Sequence, residues 1–393
     1  FARKLILEGT RSDNPISQTP FKLSKSKLNE PTMFEFIFKH HGIIYTYGAK
    51  VTRNIVLEEW LFAKPKNREV RFFERLTSPQ GEVKIEVGAI LTNSSSKQKN
   101  FLKYIAQGTR PNQLFLTEAI EKNVGDLKPV IDWFKQVLVI VGAEDKYIGL
   151  EMEAHNDKSF THFMGDFLTL VSTGITKVET EEVTLDFDKH FFDIPEEIRR
   201  DLVEDFKSLP NTKNNFLVTL GSKQYTITKQ EDGQLKVLML NTQRKNDDGE
   251  LIKFDIDEES EGTQRLIHLI PVLFTLKIQQ QEKVFFIDEL DRRLHPLLTK
   301  AYVKAILDST SKGQFIFTTH DTNLLDLELL RRDEIWFTEK DEHGASHLSS
   351  LIEFKVRPDL QIQKGYLAGR LGAIPFIGDI NRLFPNVLSS KEN

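Results

Sequence analysis

The stretch Val284-Phe285-Phe286-Ile287-Asp288-Glu289-Leu290-Asp291 constrains this chain more than any other. Four bulky apolar residues in succession suit a strand buried on both faces, and such strands belong to parallel sheets covered by helices. Two carboxylates follow where the strand would end, the edge at which open α/β sheets bind ligands. Nucleotide hydrolysis needs such a pair. One carboxylate orients Mg²⁺ through its water shell, and the other polarises the attacking water. From the octet alone, an ordinary core strand running into an acidic loop is an equal reading.

The bulk numbers remove several function classes. At 393 residues the chain can bury a large core, as one elaborate domain or two. Its 58 acids against 53 bases give a formal charge of −5, which does not support the whole chain coating nucleic acid, although local basic patches stay open. The absence of cysteine excludes disulfides, thiolate zinc sites and cysteine nucleophiles, and suits a cytoplasmic protein. No run approaches the ~18 apolar residues of a membrane span. The opening Phe1-Ala2-Arg3-Lys4-Leu5-Ile6-Leu7-Glu8 is too short and interrupted for a signal peptide and reads as the end of a helix.

Taken in order, four regions emerge. In 1–92, a Pro-punctuated segment precedes an antiparallel meander. Phe34, Phe36 and Phe38 alternate with Glu35, Ile37 and Lys39, His41-Gly42 turns, and partner strands follow at 43–51, 56–62, 70–76 and 83–87. Its aromatics read as core. The region 93–175 is a helical insertion, with helices at 96–106, 114–122 and 160–171, a Pro129 suited to a first helical turn, and a short strand at 137–141. In 176–256, an alternating segment and a charged helix from Pro195 to Leu209 lead to two hairpins, turning at Asp232-Gly233 and Asp248-Gly249.

From Asp257 to the end, helix and strand alternate strictly. Helices are expected over Leu266–Leu276, His295–Ser309 and Thr322–Arg332, with strands at 284–287, 314–319 and 334–337. Such alternation implies right-handed crossovers and a parallel sheet, placing Asp288, Glu289 and His320 along one edge. Ser260-Glu261-Gly262-Thr263 opens the first helix. It is either a plain Ser N-cap or, with free N–H groups and a favourable dipole, an anion site. Asp288 follows Ser260 by 28 residues, and His320 follows Glu289 by 31. At a strand end, that histidine can reach a γ-phosphate and the attacking water. Three such features in order are hard to reconcile with accident.

The ordering resembles the ATPase heads of the ABC class, in the branch shared with SMC, RecF, OLD and the double-strand-break repair clamps. Ser260-Glu261-Gly262-Thr263-Gln264 looks like the signature motif, Val284 to Glu289 like Walker B, Leu290-Asp291 like the D-loop and His320 like the switch histidine. Further phrases resemble the RloA-like bacterial AAA-type ATPases of abortive-infection and phage-defence loci. These are Leu57-Glu58-Glu59-Trp60-Leu61, Glu258 through Arg265, Leu294-His295-Pro296, and Tyr366 through Pro375. The resemblance implies an α/β fold: an ABC-type ATPase head with a RecA-like parallel sheet core, an antiparallel β-subdomain and a helical insertion.

The same resemblance implies roles. Asp288 would hold the metal and Glu289 would be the catalytic base, with His320 on the γ-phosphate. Ser260, Gly262 and Thr263 would bind ATP held by an opposed subunit, and Asp291 would cross that interface. The expected cofactors are ATP and Mg²⁺. The partners would be a second copy of the chain, or a larger homo-oligomer, and an effector such as a TOPRIM-type nuclease, with no membrane. The role would be a sensor or regulatory ATPase of antiphage defence. A DNA-repair clamp binding DNA directly, or an inert scaffold, remain the alternatives. Gln113 is either a Q-loop glutamine or a helix-start residue.

The chain contains no Gly-Lys dipeptide, so the phosphate-cradling loop of this class is expected upstream of Phe1. Tyr47-Gly48-Ala49-Lys50 lies in a strand and cannot form it.

Overall fold

The computed structural model describes residues 1–92, 95–191, 194–208, 214–220, 223–308, 312–354 and 362–374. Leu209, Ser309 and Pro375, each the last residue of an expected segment, lie outside them. The chain divides into two compact units, Phe1–Leu138 with Leu330–Asn393, and Val139–Leu329.

The first unit opens with helix α1 (Ala2–Glu8) and the expected meander, β1 (Thr32–His40), β2 (Ile43–Val51), β3 (Val56–Lys64), β4 (Val70–Thr77) and β5 (Val83–Val87). These strands pair antiparallel in sequence order. Period-two alternation turns one set of side chains inward. Phe38 stacks on Trp133 with ring centroids 4.0 Å apart, and Phe36 meets Phe134 edge-on at 5.0 Å. Tyr47 and Phe73 are fully buried. Helices α2 (Ala89–Thr92), α3 (Ser96–Gly108), α4 (Phe115–Glu121) and α5 (Lys128–Asp132) follow, with Pro129 in the first turn of α5.

One carboxylate organises this unit. Glu59, on β3, is 1% exposed, yet its oxygens accept from the Tyr47 hydroxyl at 3.0 Å and from the backbone N–H groups of Phe115 at 2.6 Å and Leu116 at 3.0 Å. Arg75 of β4 lies 3.5 Å away and donates onward to the carbonyl of Arg110 at 3.1 Å and to that of Gln113. Glu59 therefore ties β2, β3 and β4 to the start of α4. Burial raises its pKa and lowers that of Arg75, while each charge opposes the shift of the other.

The second unit begins within β6 (Leu138–Val141) and continues through α6 (Leu150–Asn156) and α7 (Lys158–Leu170). Then come β7 (Lys177–Thr184), α8 (Phe187–His190) and α9 (Glu196–Ser208). The strands β8 (Asn214–Leu220), β9 (Lys223–Lys229), β10 (Leu235–Lys245) and β11 (Leu251–Asp255) form a sheet in the order β11-β10-β9-β8, with β7 also on β10. Both expected Asp-Gly turns are present, with Gly233 at φ 83° and Gly249 at φ 80°; the range of the first expected hairpin, 216–237, holds two strands before its turn, β8 and β9, and β10 runs unbroken from that hairpin into the second.

The core follows. Helix α10 (Glu261–Leu273) is buried without interruption from Arg265 to Leu273, and the chain runs on as a π-type turn over Phe274–Ile278. β12 (Val284–Ile287), α11 (Pro296–Leu307) and β13 (Gln314–Phe317) form the expected crossover. β12 and β13 pair parallel, Val284 opposite Gln314 and Ile287 opposite Phe317, in a sheet ordered β13-β12-β6. Phe285 and Ile287 pack with Leu269, Val272, Tyr302 and Val303. The expected burial of this strand on both faces holds for one face only. Phe285 is 1% exposed, whereas Phe286, pointing the other way, is 38% exposed.

Two expectations fail beyond β13. The helix expected over Thr322–Arg332 is absent; only short 3₁₀ turns form, at Thr322–Leu324 and Arg332–Glu334. The cause is local. Asp321 accepts from the N–H of Asn323 and Asp326 from that of Glu328, each at 2.9 Å, and such side-chain turns compete with helical bonding. The chain then returns to the first unit, where β14 (Trp336–Lys340) pairs antiparallel with β15 (Ser346–Ser350) rather than extending the parallel sheet. Helix α12 (Ile362–Leu367) is the last described element. Among the described residues, no helix is long and apolar enough to cross a membrane.

Candidate functional site

Parallel register ends β12 and β13 side by side, so Asp288 and Thr318 leave the sheet together. The backbone N–H of Asp288 donates to Val141 O at 2.9 Å, that of Thr318 to Ile287 O at 3.0 Å, and that of Leu290 to Thr318 O at 3.0 Å. The Thr318 hydroxyl completes the weave. It donates to Asp288 Oδ1 at 2.5 Å and accepts from the Glu289 N–H at 2.9 Å.

Glu289 sits in the left-handed region at φ 47°. That conformation costs a non-glycine residue on the order of 1 kcal/mol and persists where the surroundings enforce it. Arg265 of α10 supplies much of the enforcement. Its Nη2 donates to the carbonyls of Asp288 and Glu289, both at 3.2 Å. Arg265 is only 7% exposed, and burial lowers its pKa from the usual guanidinium range. The Glu289 side chain accepts from Arg292 Nη1 at 3.0 Å, and Arg292 also pairs with Glu144.

The start of α10 abuts the loop after Asp291. A Cβ on Gly262 would lie 2.7 Å from the carbonyl oxygen of Arg293, so glycine is needed for the approach. Arg293 is 3.3 Å from Glu261 and 3.6 Å from Glu144. Ser260 is exposed and caps α10, its Oγ accepting from the Thr263 N–H at 3.2 Å and lying 2.9 Å from the Thr263 hydroxyl. Both readings of Ser260 therefore share a helix start, and the cap is present.

The structure joins Asp288 to Glu289 through Thr318, and Gly262 to the loop after Asp291. Among the described residues, the Ser260 side chain bonds only to Thr263. Among the described residues, no hydrogen bond or ion pair links Ser260, Thr263 or His320 to the Asp288-Glu289 turn. His320 is exposed, just beyond β13. Asp291 has a buried Oδ1 without a hydrogen-bond partner. Gln113 is 3% exposed and accepts from the Thr10 N–H at 3.0 Å and from Arg110 at 3.3 Å, a structural tie just before α4.

Sequence reasoning missed Thr318 and Arg265. Thr318 falls within the expected strand 314–319, and only the strand register places it beside the Asp-Glu pair. Arg265 stood in the signature-like phrase without a role. A second buried polar group on α10, His268, accepts from the Tyr147 N–H at 3.3 Å, and burial draws its pKa down to about 4. Among the described residues, no three His, Asp or Glu side chains converge as a metal site. One carboxylate, Asp288, stands exposed at the strand end. That donor set fits Mg²⁺, which keeps several waters and takes one or two carboxylates plus phosphate oxygens.

The fold is mixed α/β, with a braced Asp-Glu turn at the end of its parallel strands, the edge at which open α/β sheets bind ligands. The chain belongs to the family described as "AAA domain, putative AbiEii toxin, Type IV TA system", whose model matches residues 8–326. Solved structures with partial likeness include an SMC head domain from Thermotoga maritima, at 13% identity over 83% of this chain and 77% of that one, TM-score 0.31. An SMC head bound to the C-terminal winged-helix domain of ScpA gives 14% identity, 75% of each chain and a TM-score of 0.29. The recombination mediator RecF, from the RecFOR pathway, gives 14% identity, 81% of each chain and 0.23. No curated protein matches the chain.

Proposed function

We propose that this chain carries the hydrolytic edge of an ABC-class ATPase that works in the cytoplasm as a sensor or regulatory subunit of antiphage defence, controlling an effector such as a TOPRIM-type nuclease. The observation that carries the hydrolytic part is the Asp288-Glu289 turn, held at the C-terminal end of parallel strands with its carboxylates toward solvent. The family description, which names a toxin of a type IV toxin–antitoxin system, supports the defence setting.

In this reading Asp288 would hold Mg²⁺, which would supply neutralisation of charge on the phosphate oxygens. Glu289 orients and deprotonates the attacking water once its contact with Arg292 opens. His320 donates to the γ-phosphate. Given the phosphate-cradling loop that this class requires, Ser260, Gly262 and Thr263 engage ATP held by that loop in an opposed copy of the protein, and Asp291 meets that copy. A positioned general base contributes roughly 10²–10⁴-fold in rate. In the full-length protein, Glu289→Gln should retain ATP binding, stabilise the ATP-bound dimer and lose turnover by about that factor. Hydrolysis at the unsubstituted rate would remove Glu289 from the mechanism. Co-purification of the protein with a nuclease supports the regulatory role, whereas salt-sensitive binding of DNA by the protein alone favours a repair clamp.

A further inference from the structure

We infer that Thr318 is the positioning residue of the Asp288-Glu289 turn, one hydroxyl that fixes the metal-side carboxylate and the backbone of the base together. The inference rests on the hydrolytic reading above for its consequence, but on contacts alone for its geometry. A backbone N–H can only donate, so the 2.9 Å contact from Glu289 N uses a lone pair of Thr318 Oγ1. The single hydroxyl hydrogen is then left for Asp288 Oδ1, at 2.5 Å. The direction of both bonds is therefore determined, and Oδ1 of Asp288 is an acceptor in this arrangement.

The backbone of Thr318 is equally committed. Its N–H donates to Ile287 O and its carbonyl accepts from Leu290 N, each at 3.0 Å, so Asp288 and Glu289 are bracketed by Thr318 on both sides. Thr318 thus contacts four consecutive residues, Ile287 to Leu290. With φ 47° at Glu289, the turn has no intrinsic preference for its shape. Removing the hydroxyl leaves the Glu289 N–H without its acceptor and releases one oxygen of Asp288 to rotate. Misplacement of a reacting group by about 1 Å can cost on the order of 10²-fold in rate.

The test compares Thr318→Val, which keeps the shape without the hydroxyl, with Thr318→Ser, which keeps the hydroxyl. Both are made in the full-length protein, with thermal unfolding as the check on folding. Thr318→Val should lower kcat for ATP at least about tenfold and raise the Mg²⁺ concentration for half-maximal turnover, while Thr318→Ser stays within about threefold of the parent. Backbone amide exchange over residues 287–291 should accelerate in Thr318→Val and not in Thr318→Ser, a readout independent of turnover. Parental kcat, Mg²⁺ response and exchange in Thr318→Val would overturn the inference, as would equal impairment of both variants. A parent protein that binds but never hydrolyses ATP would instead sink the hydrolytic reading, leaving the exchange experiment to judge Thr318.

Discussion

Glu59 and Glu289 each stand second in an acidic pair, Glu58-Glu59 on β3 and Asp288-Glu289 after β12, and the two fare oppositely. Glu59 is buried, with donors from a tyrosine, two backbone N–H groups and an arginine filling its oxygens. Glu289 is half-buried, takes one side-chain bond from a partly exposed arginine, and occupies a backbone conformation its residue type disfavours. A carboxylate whose acceptor sites are already used holds a fold together. One held in strain with sites open is available to a ligand. The contrast also separates neighbours: Glu58, one residue before Glu59, pairs with Lys50 at the surface, both about two-fifths exposed.

Substitutions can break the comparison. The largest effect is expected at Glu59. Glu59→Ala strands Arg75 and two N–H groups in the core, and should destabilise by about 3–5 kcal/mol in denaturant unfolding. A change within about 0.5 kcal/mol would make Glu59 an ordinary surface-like carboxylate. Next comes pH. His268 has its folded pKa near 4, below the ordinary value, so its contribution is complete above about pH 6.5 and is lost as pH falls toward 4. The full loss amounts to about 3 kcal/mol, and His268→Gln should flatten unfolding curves across that window. An unchanged slope would mean that the imidazole does not stay neutral in the fold. The smallest effect has the opposite sign. Glu289→Gly relieves the positive φ and should stabilise by up to about 1 kcal/mol while abolishing hydrolysis. A loss of stability there would show that the Arg292 contact outweighs the strain.

Much of the fold was legible because periodicity is local. The meander, the hairpin turns, and the β12-α11-β13 crossover follow from alternation, Asp-Gly pairs and a Pro at a helix start. The helix expected after β13 failed because Asp321 and Asp326 bond to backbone two residues on, a choice that apolar spacing does not reveal. At the site, Asp288 and Glu289 could be singled out from type and position, and Gly262 only as part of a turn that opens a helix; its close approach to the Arg293 carbonyl could not. Thr318 and Arg265 could not. Their function depends on which strand lies beside which, and on a helix side chain reaching carbonyls 23 and 24 residues away. Glu59 with Arg75 was hidden for the same reason, since cross-strand neighbours leave no mark in linear spacing.

The contact between Gly262 and the Arg293 carbonyl has a mechanical meaning. Where a single added carbon would sit 2.7 Å from that oxygen, there is no slack between the first turn of α10 and the loop after Asp291. Any side chain at position 262 would have to displace the carbonyl of Arg293, whose neighbour Arg292 holds the Glu289 carboxylate.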